Sequence, residues 1–466
     1  VTAPADADRR VPGAEPAPAG WPAPVASGPV DAEIRLPGSK SLTNRYLALA
    51  AVASDSSRLR RPLRSRDTLL MASGITALGA GVRDEQVASA ALPAATAGSP
   101  ATGDPPEVEV ADWLVSPIDP GSGPGDRAEV DCGLAGTVMR FLPPVAAVCG
   151  RHARFDGDPR ARQRPLRPLL EALRALGVAV EDAGGFLPVT VDGRGGVAGG
   201  RVEIDASASS QFVSGLLLAG ARCRDGLTVR HVGGPLPSRP HIAMTVENLR
   251  DCGVVVEDSG EQWRVEPGPI GGLDVEVEPD LSNAGPFLAA ALATGGRVRV
   301  LGWPQYTTQA GDLFRDVLDA MGADVLLDRG GLTVTSGGAV YGVDLDLREA
   351  GEIAPTVAGL AALAESPSRL RGIGHLRGHE TDRLRALADE IGALGGDVRV
   401  LDDGLEIRPR PLRGGRWRSY DDHRMATTGA VVGLRVPGVV VDGVGTTAKT
   451  LPDFPRMWQA LVGAAG

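Results

Sequence analysis

The sequence predicts an α/β protein made of six copies of one unit, three copies to each of two domains. Three observations lead there. A helix–glycine–strand pattern returns along the chain, and a second, more apolar helix alternates with it. The 466 residues also exceed what one hydrophobic core usually serves, about 250–300 residues.

The first pattern is an amphipathic helix stopped by glycine, then two short strands about a turn. It reads LLEALRALGVAVEDAGGFLPVTV at 169–191, VENLRDCGVVVEDSGEQWRVE at 246–266, FRDVLDAMGADVLLDRGGLTVT at 314–335 and LADEIGALGGDVRVLDDGLEI at 387–407. ITALGAGV at 75–82 begins an earlier copy, and FPRMWQALVG at 454–463 ends the series. Gly177, Gly253, Gly322 and Gly395 stand roughly 70–76 residues apart. Leucines at helical spacing, a glycine stop and alternating valines are the signs of a helix, its end and a strand.

Each copy of the second helix opens on small or polar residues: KSLTNRYLALAAV (40–52), AGTVMRFLPPVAAV (135–148), SSQFVSGLLLAG (209–220), SNAGPFLAAALATG (282–295), APTVAGLAALA (354–364) and HRMATTGAVVGL (423–434). The closing unit shows no strands of its own, and EIRLPG at 33–38 is expected to supply one. The expected organisation follows. Residues 1–28 form a disordered Ala/Pro tail, 39–278 an N-terminal-half domain of three repeats, and 29–38 with 279–466 the C-terminal-half domain. A Pro/Ala/Gly-rich stretch at 88–107 reads as a surface-loop insertion in the first domain.

Composition narrows the function. Hydrophobic content of 43% and charged content of 23% are ordinary for a globular protein. No apolar run approaches the ~20 residues a membrane span needs, and the start has no apolar signal core, so the expected address is the cytoplasm. A net charge of −10 argues against a nucleic-acid binder, which presents a basic face. It leaves room for a cationic pocket and a small anion. Cys132, Cys149, Cys223 and Cys252 form no CxxC pair, so neither a zinc site nor a disulfide framework is expected. Of 48 basic residues only two are lysines, Lys40 and Lys449. Both sit in dense polar motifs, PGSKSLTNR and TTAKTLPDF, where a compact ammonium is not interchangeable with a guanidinium.

The polar residues gather where the second helices open: Lys40, Ser41 and Arg45; Gly136 and Thr137; Ser209, Ser210 and Gln211; His423 and Arg424. Helix N-termini carry free N–H groups and partial positive charge. A single Ser or Thr there is ordinarily a cap. Several such ends beside Lys or Arg describe a cradle for a polyanionic ligand. FDGDPRARQRPL (155–166), LPSRPH (236–241), HLRGHETDRL (375–384) and SYDDHRMA (419–426) add charged turns suited to phosphate or carboxylate.

LPGSKSLTNR, GLAGTVMRF, SSQF, LRGHETDRL, DDHRMA and TAKTLPDF, in that order, resemble motifs of the EPSP synthases, 3-phosphoshikimate 1-carboxyvinyltransferases. The resemblance runs from about residue 29 to the end, interrupted at 88–107. It implies the two-domain enolpyruvyl-transferase fold of six βαβαββ repeats, closing on shikimate 3-phosphate and phosphoenolpyruvate. It implies that Lys40, Ser41, Arg45, Ser209, Ser210, Gln211, Ser238, Glu352, His375 and His379 hold shikimate 3-phosphate. Lys40, Gly136, Arg164, Gln211, Arg383, Arg424 and Lys449 then surround phosphoenolpyruvate, with Glu352, Glu380 and Lys40 as the catalytic groups. It further implies inhibition by glyphosate, a monomer, no cofactor and no metal. Several positions depart from the family pattern. Leu134 stands where Asn is common, Phe141 where Pro is common, and His241 where Tyr is common. Glu352 replaces Asp, and His375 and His379 replace Asn and Lys. The related transferase acting on UDP-N-acetylglucosamine should carry a reactive loop cysteine instead. A non-catalytic anion-binding relative would not need Lys40, Glu352, Glu380, Arg424 and Lys449 together.

Overall fold

The computed structural model describes residues 20–85, 111–119 and 127–464. The expected insertion at 88–107 and residues 1–19 of the expected tail lie outside these residues.

Among the described residues twelve α-helices alternate between two kinds. The first kind comprises α1 (Lys40–Val52), α3 (Gly136–Val148), α5 (Gln211–Gly220), α7 (Leu281–Thr294), α9 (Ala354–Ala362) and α11 (His423–Gly433). Their Ala, Gly, Leu and Val content leaves no polar face, and every residue of α9 and α11 is buried; a helix apolar all round belongs inside. The second kind comprises α2 (Arg66–Ala77), α4 (Arg167–Ala175), α6 (Pro240–Asp251), α8 (Phe314–Ala320), α10 (Arg383–Ala393) and α12 (Phe454–Gly463). These bury one face only: α4 hides Leu169, Leu170, Ala172 and Leu173 and leaves its arginines outside.

Among the described residues the strands form six small sheets, five of four strands in one order and a last of three. In the second unit Ala128–Asp131 runs parallel to His152–Asp156, which pairs antiparallel with Val189–Asp192, itself antiparallel to Ala179–Asp182. The same order serves Gly200–Ile204, Leu227–His231, Gln262–Val265 and Val256–Asp258. It serves again in Asp344–Asp346, Ser368–Arg371, Gly404–Arg408 and Asp397–Leu401. Two sheets receive their parallel edge strand from afar. Asp274–Glu276 pairs with Ser57–Arg60, and Asp31–Ile34 pairs with Arg297–Leu301.

The last sheet corrects two expectations. Gly415–Arg418 runs parallel to Val439–Asp442, so the closing unit does have strands of its own. Its third strand is Trp21–Pro22, antiparallel to Val440–Val441, whereas the strand read in EIRLPG joins Arg297–Leu301 two sheets away. Residues 20–28, expected in the disordered tail, are therefore part of the fold from Trp21 on. The reason is packing: Trp21 meets the Phe454 ring edge-on at 6.1 Å, and Ala23 N–H donates to the Val439 carbonyl at 3.0 Å.

Two hydrophobic cores result. One runs from Leu42 to Val277; the other joins Ala23, Val30 and Leu36 to the stretch from Leu281 to Val462. The chain passes between these halves twice, side by side. Ser39 N–H donates to the Glu278 carbonyl at 2.7 Å and Asp280 N–H to the Pro37 carbonyl at 3.0 Å. Each passage leads straight into a buried helix, α1 or α7, and the site lies there.

Candidate active site

In the first half, α1, α3 and α5 bring their N-terminal ends together. Ser39 caps α1 through its hydroxyl, which makes Lys40 the first helical residue. The Lys40 N–H donates to Asp280 Oδ2 of the other half at 3.2 Å, and its ammonium lies 3.5 Å from Asp67. Ala135 precedes α3 and Ser210 precedes α5, and neither gives a side-chain cap; the α3 end keeps backbone N–H groups for a ligand. Two guanidinium groups converge on Gly136. Arg140 Nη1 donates to the Gly136 carbonyl at 3.3 Å and to Gln211 Oε1 at 3.0 Å; Arg164 Nη1 donates to the Leu134 carbonyl at 3.2 Å. Among the described residues no carboxylate is salt-bridged to either. Burial, and then Arg164, hold Arg140 well below the usual guanidinium range. Burial also lowers Arg164 against the pull of Glu380 and Asp67. Buried positive charge of this kind is stabilised by an anion.

The second half supplies two carboxylates, each in a cationic setting. Glu352, in the turn Gly351–Ile353 before α9, accepts from Arg424 Nη2 at 2.9 Å and lies 3.4 Å from His241 Nε2. Burial pushes its carboxyl up, but Arg424, His241 and Lys40 outweigh it and hold the group well below the carboxylate range. Glu380 lies 3.3 Å from both His423 Nδ1 and Lys449 Nζ. It too stays well below the ordinary range despite burial, through His423, Lys449 and Arg383. Asp422 caps α11 and binds the buried Arg383 at 2.7 and 3.2 Å, fixing that guanidinium beside Glu380. Glu380, Asp422 and His423 bring ligating atoms within 4.8 Å of one another. Arg383 and Lys449 already balance their charge, which leaves a divalent cation little to offer there.

One cleft is lined from both halves by Lys40, Ser41, His241, Glu352 and Arg424. Ser238 is buried with φ of +51°, a left-handed conformation uncommon for serine, and its N–H donates to the Arg348 carbonyl of the other half at 3.2 Å. Ser209 Oγ accepts from the Gln211 N–H at 3.4 Å. Arg45 lies under the cleft with its guanidinium engaged by protein, at 2.8 Å from Thr245 Oγ1 and 2.9 Å from the carbonyls of Ser41 and His241. Burial brings it down to about 10, against Glu352. The rings of His375 and His379 lie 5.7 Å apart, tilted by 60° to one another. Burial, then Arg383, His375 and Arg164, press His379 well below the imidazole range, so it is neutral where a lysine would be charged.

Sequence reading passed over Arg140 and His241 as site residues and named His423 only as part of a helix opening. The signal for Arg140 was its place one helical turn after Gly136 in GLAGTVMRF. That for His423 was its place beside Arg424. No sequence signal joins His241 to Glu352. The cysteines offer no nucleophile: burial raises the thiols of Cys132, Cys223 and Cys252, and Cys149 goes to about 11.

Five βαβαββ units and a shorter sixth in two halves, with anion-seeking helix ends facing two carboxylates, define an enolpyruvyl-transferase-type enzyme. The sequence profile described as EPSP synthase (3-phosphoshikimate 1-carboxyvinyltransferase) matches residues 25–458. A 3-phosphoshikimate 1-carboxyvinyltransferase of Kocuria rhizophila is 55% identical over 450 residues, spanning 96% of this chain and 97% of that one. A solved EPSP synthase of Acinetobacter baumannii superposes with a TM-score of 0.74 at 23% identity, covering 96% and 98% of the two chains. A second structure from that organism gives 0.73, also at 23% identity. The chain belongs to the EPSP synthase family.

Proposed function

We propose that this chain transfers the enolpyruvyl group of phosphoenolpyruvate to the 5-hydroxyl of shikimate 3-phosphate, releasing phosphate. Family membership supports the reaction. The observation that carries it is the pairing of two ionised carboxylates, Glu352 and Glu380, with the cationic pocket at Gly136, Arg140 and Arg164. Phosphoenolpyruvate lies against Gly136 among Arg164, Arg383, Arg424 and Lys449. Shikimate 3-phosphate lies against Lys40, Ser41, Ser209, Ser210, Gln211 and Ser238.

Glu352 takes the 5-hydroxyl proton as that oxygen attacks C2 of phosphoenolpyruvate, and a proton is added at the methylene carbon from the Glu380 side. The tetrahedral adduct then loses phosphate and returns a proton from the new methyl, so the acid and base exchange roles. Glu380 is ionised in the free site because cations hold it so. Arriving anions neutralise those cations and raise its affinity for the proton it must deliver. Arg and Lys carry the charge of the departing phosphate. In the same reading the protein acts as a monomer in the cytoplasm and is inhibited by glyphosate. Among the described residues no helix is long and apolar enough to cross a membrane.

Phosphate release tests this reading. Turnover is expected with shikimate 3-phosphate and none with UDP-N-acetylglucosamine, whose transferase would need a reactive thiol that these cysteines, with their raised pKa values, do not provide. Release with neither acceptor would leave only an anion-binding relative.

A further inference from the structure

The segment from Ser238 to His241 touches the segment from Arg348 to Glu352 three times, each time across the two halves. Ser238 N–H donates to the Arg348 carbonyl at 3.2 Å, and Arg239 N–H to Glu349 Oε2 at 3.1 Å. His241 Nε2 lies 3.4 Å from Glu352 Oε1, with side chains 9% and 25% exposed. The first two contacts involve the exposed Arg239 and Arg348, and the third is at the reacting centre.

His241 cannot follow Glu352 if the halves part. Its carbonyl accepts from Arg45 Nη2 at 2.9 Å, Thr245 Oγ1 at 3.0 Å and Ser214 Oγ at 3.3 Å, and its N–H donates to the Ser238 carbonyl at 3.1 Å. Among the described residues Glu352 has one hydrogen-bond partner from its own half, Arg424 on Oε2 at 2.9 Å. Its other oxygen faces a partner from the opposite half. A carboxylate held by one oxygen can still turn about its last bond; held by both, it has one orientation.

We infer that His241 is a positioning residue that makes the orientation of Glu352 depend on closure of the two halves. This rests on the reading of Glu352 as the group that accepts the 5-hydroxyl proton. With its proton on Nε2 the imidazole donates to Oε1 only when the halves meet, so the base is aligned only in the closed protein. A glutamine at 241 carries an amide N–H at similar reach, whereas leucine carries none.

The test compares His241→Leu, His241→Gln, Glu352→Gln and the double variant His241→Leu/Glu352→Gln, after thermal melts establish that each is folded. His241→Leu is expected to lower kcat about 10- to 100-fold, the span of one hydrogen bond to a charged group. Its KM for either substrate should stay within about threefold, and His241→Gln should recover most of the loss. The double variant should be no slower than Glu352→Gln, because the two residues act as one unit. A loss confined to the KM for shikimate 3-phosphate would make His241 a substrate contact and overturn the inference. So would multiplicative losses in the double variant, or full kcat in His241→Leu while Glu352→Gln is impaired. If Glu352→Gln itself turns over normally, the failure lies in the reading of Glu352. If His241→Leu does not fold, the inference rests on His241→Gln, whose kcat must then stay near that of the parent.

Discussion

At Gly136 the missing side chain keeps two guanidinium groups close to the backbone. A Cβ there would lie 2.6 Å from Arg140 Nη1 and 3.0 Å from Arg164 Nη2, so Gly136→Ala adds a methyl and displaces both arginine ends. The variant is expected to raise the ratio of the glyphosate inhibition constant to the KM for phosphoenolpyruvate, because the longer anion reaches further into that space. Shikimate 3-phosphate should bind almost as before. An unchanged ratio would remove Gly136 from the pocket. The two lysines are a second test at this scale. Lys449 Nζ donates to the Asp421 carbonyl as well as approaching Glu380, a fit that a planar guanidinium cannot reproduce. Lys40→Arg and Lys449→Arg should keep the fold and lose at least ~10²-fold in kcat/KM; near-parental turnover in both would refute the argument. Their scarcity among arginines made them legible in the sequence. The Arg383–Asp422 pair was not legible, since its members stand 39 residues apart and only the packing of α10 beside α11 joins them.

The six-fold alternation of elements could be read because each unit repeats its own punctuation: a leucine-spaced helix, a glycine, two short strands. Strand partners could not, because a strand's pattern records which faces are buried and leaves its neighbour unstated. Asp31–Ile34 was for that reason assigned to the closing sheet, although it pairs with Arg297–Leu301. Trp21–Pro22 escaped altogether, being two residues long among alanines and prolines. Trp21→Ala should cost about 1–3 kcal/mol by removing an aromatic contact, measured by denaturant midpoint; an unchanged midpoint would show that this strand adds nothing. Helix packing gives a sharper case. Pro144 in α3 has no N–H for the Arg140 carbonyl, and Gly215 of α5 packs there, where a Cβ would come within 2.2 Å of that oxygen. Gly215→Ala must push α3 from α5, at a cost of about 1–3 kcal/mol. It should also weaken phosphoenolpyruvate binding through Arg140, and a variant as stable and active as the parent would exclude this contact.

For the whole molecule, contacts cross the cleft at Ser238, Arg239, His241 and Arg160, whose Nη1 lies 3.4 Å from the Tyr420 carbonyl. The cleft at Lys40, His241, Glu352 and Arg424 holds about 20 Å³, room for a water and no more, so substrates are expected to reach these residues only when the halves separate. X-ray scattering should show a larger radius of gyration for the free protein than for the complex with both ligands; equal radii would refute closure in solution. Acidity tests the same region. Burial lowers His423 despite Glu380, and Glu352 and Glu380 lie below their usual range, so all three bind protons more readily when unfolded. Their stabilisation is complete above the unfolded pKa values, near 6.5 for the imidazole and 4.3 for the carboxyls. It is lost as pH falls through the lower folded values, beginning below about pH 6.5 at no more than ~1.4 kcal/mol per pH unit for His423. Urea midpoints that stay level from pH 7.5 to 5 would contradict this. The strand exchange between the halves bears also on how the protein is made. The described members of the first core all lie between Leu42 and Val277, so that half can fold while the rest is still being synthesised. Asp31–Ile34, made earlier, must wait on the ribosome for Arg297–Leu301, and Trp21 must wait for Val441. A segment made before the first half is thus among the last to find its place, and the second half is sealed by residues translated before the first half began.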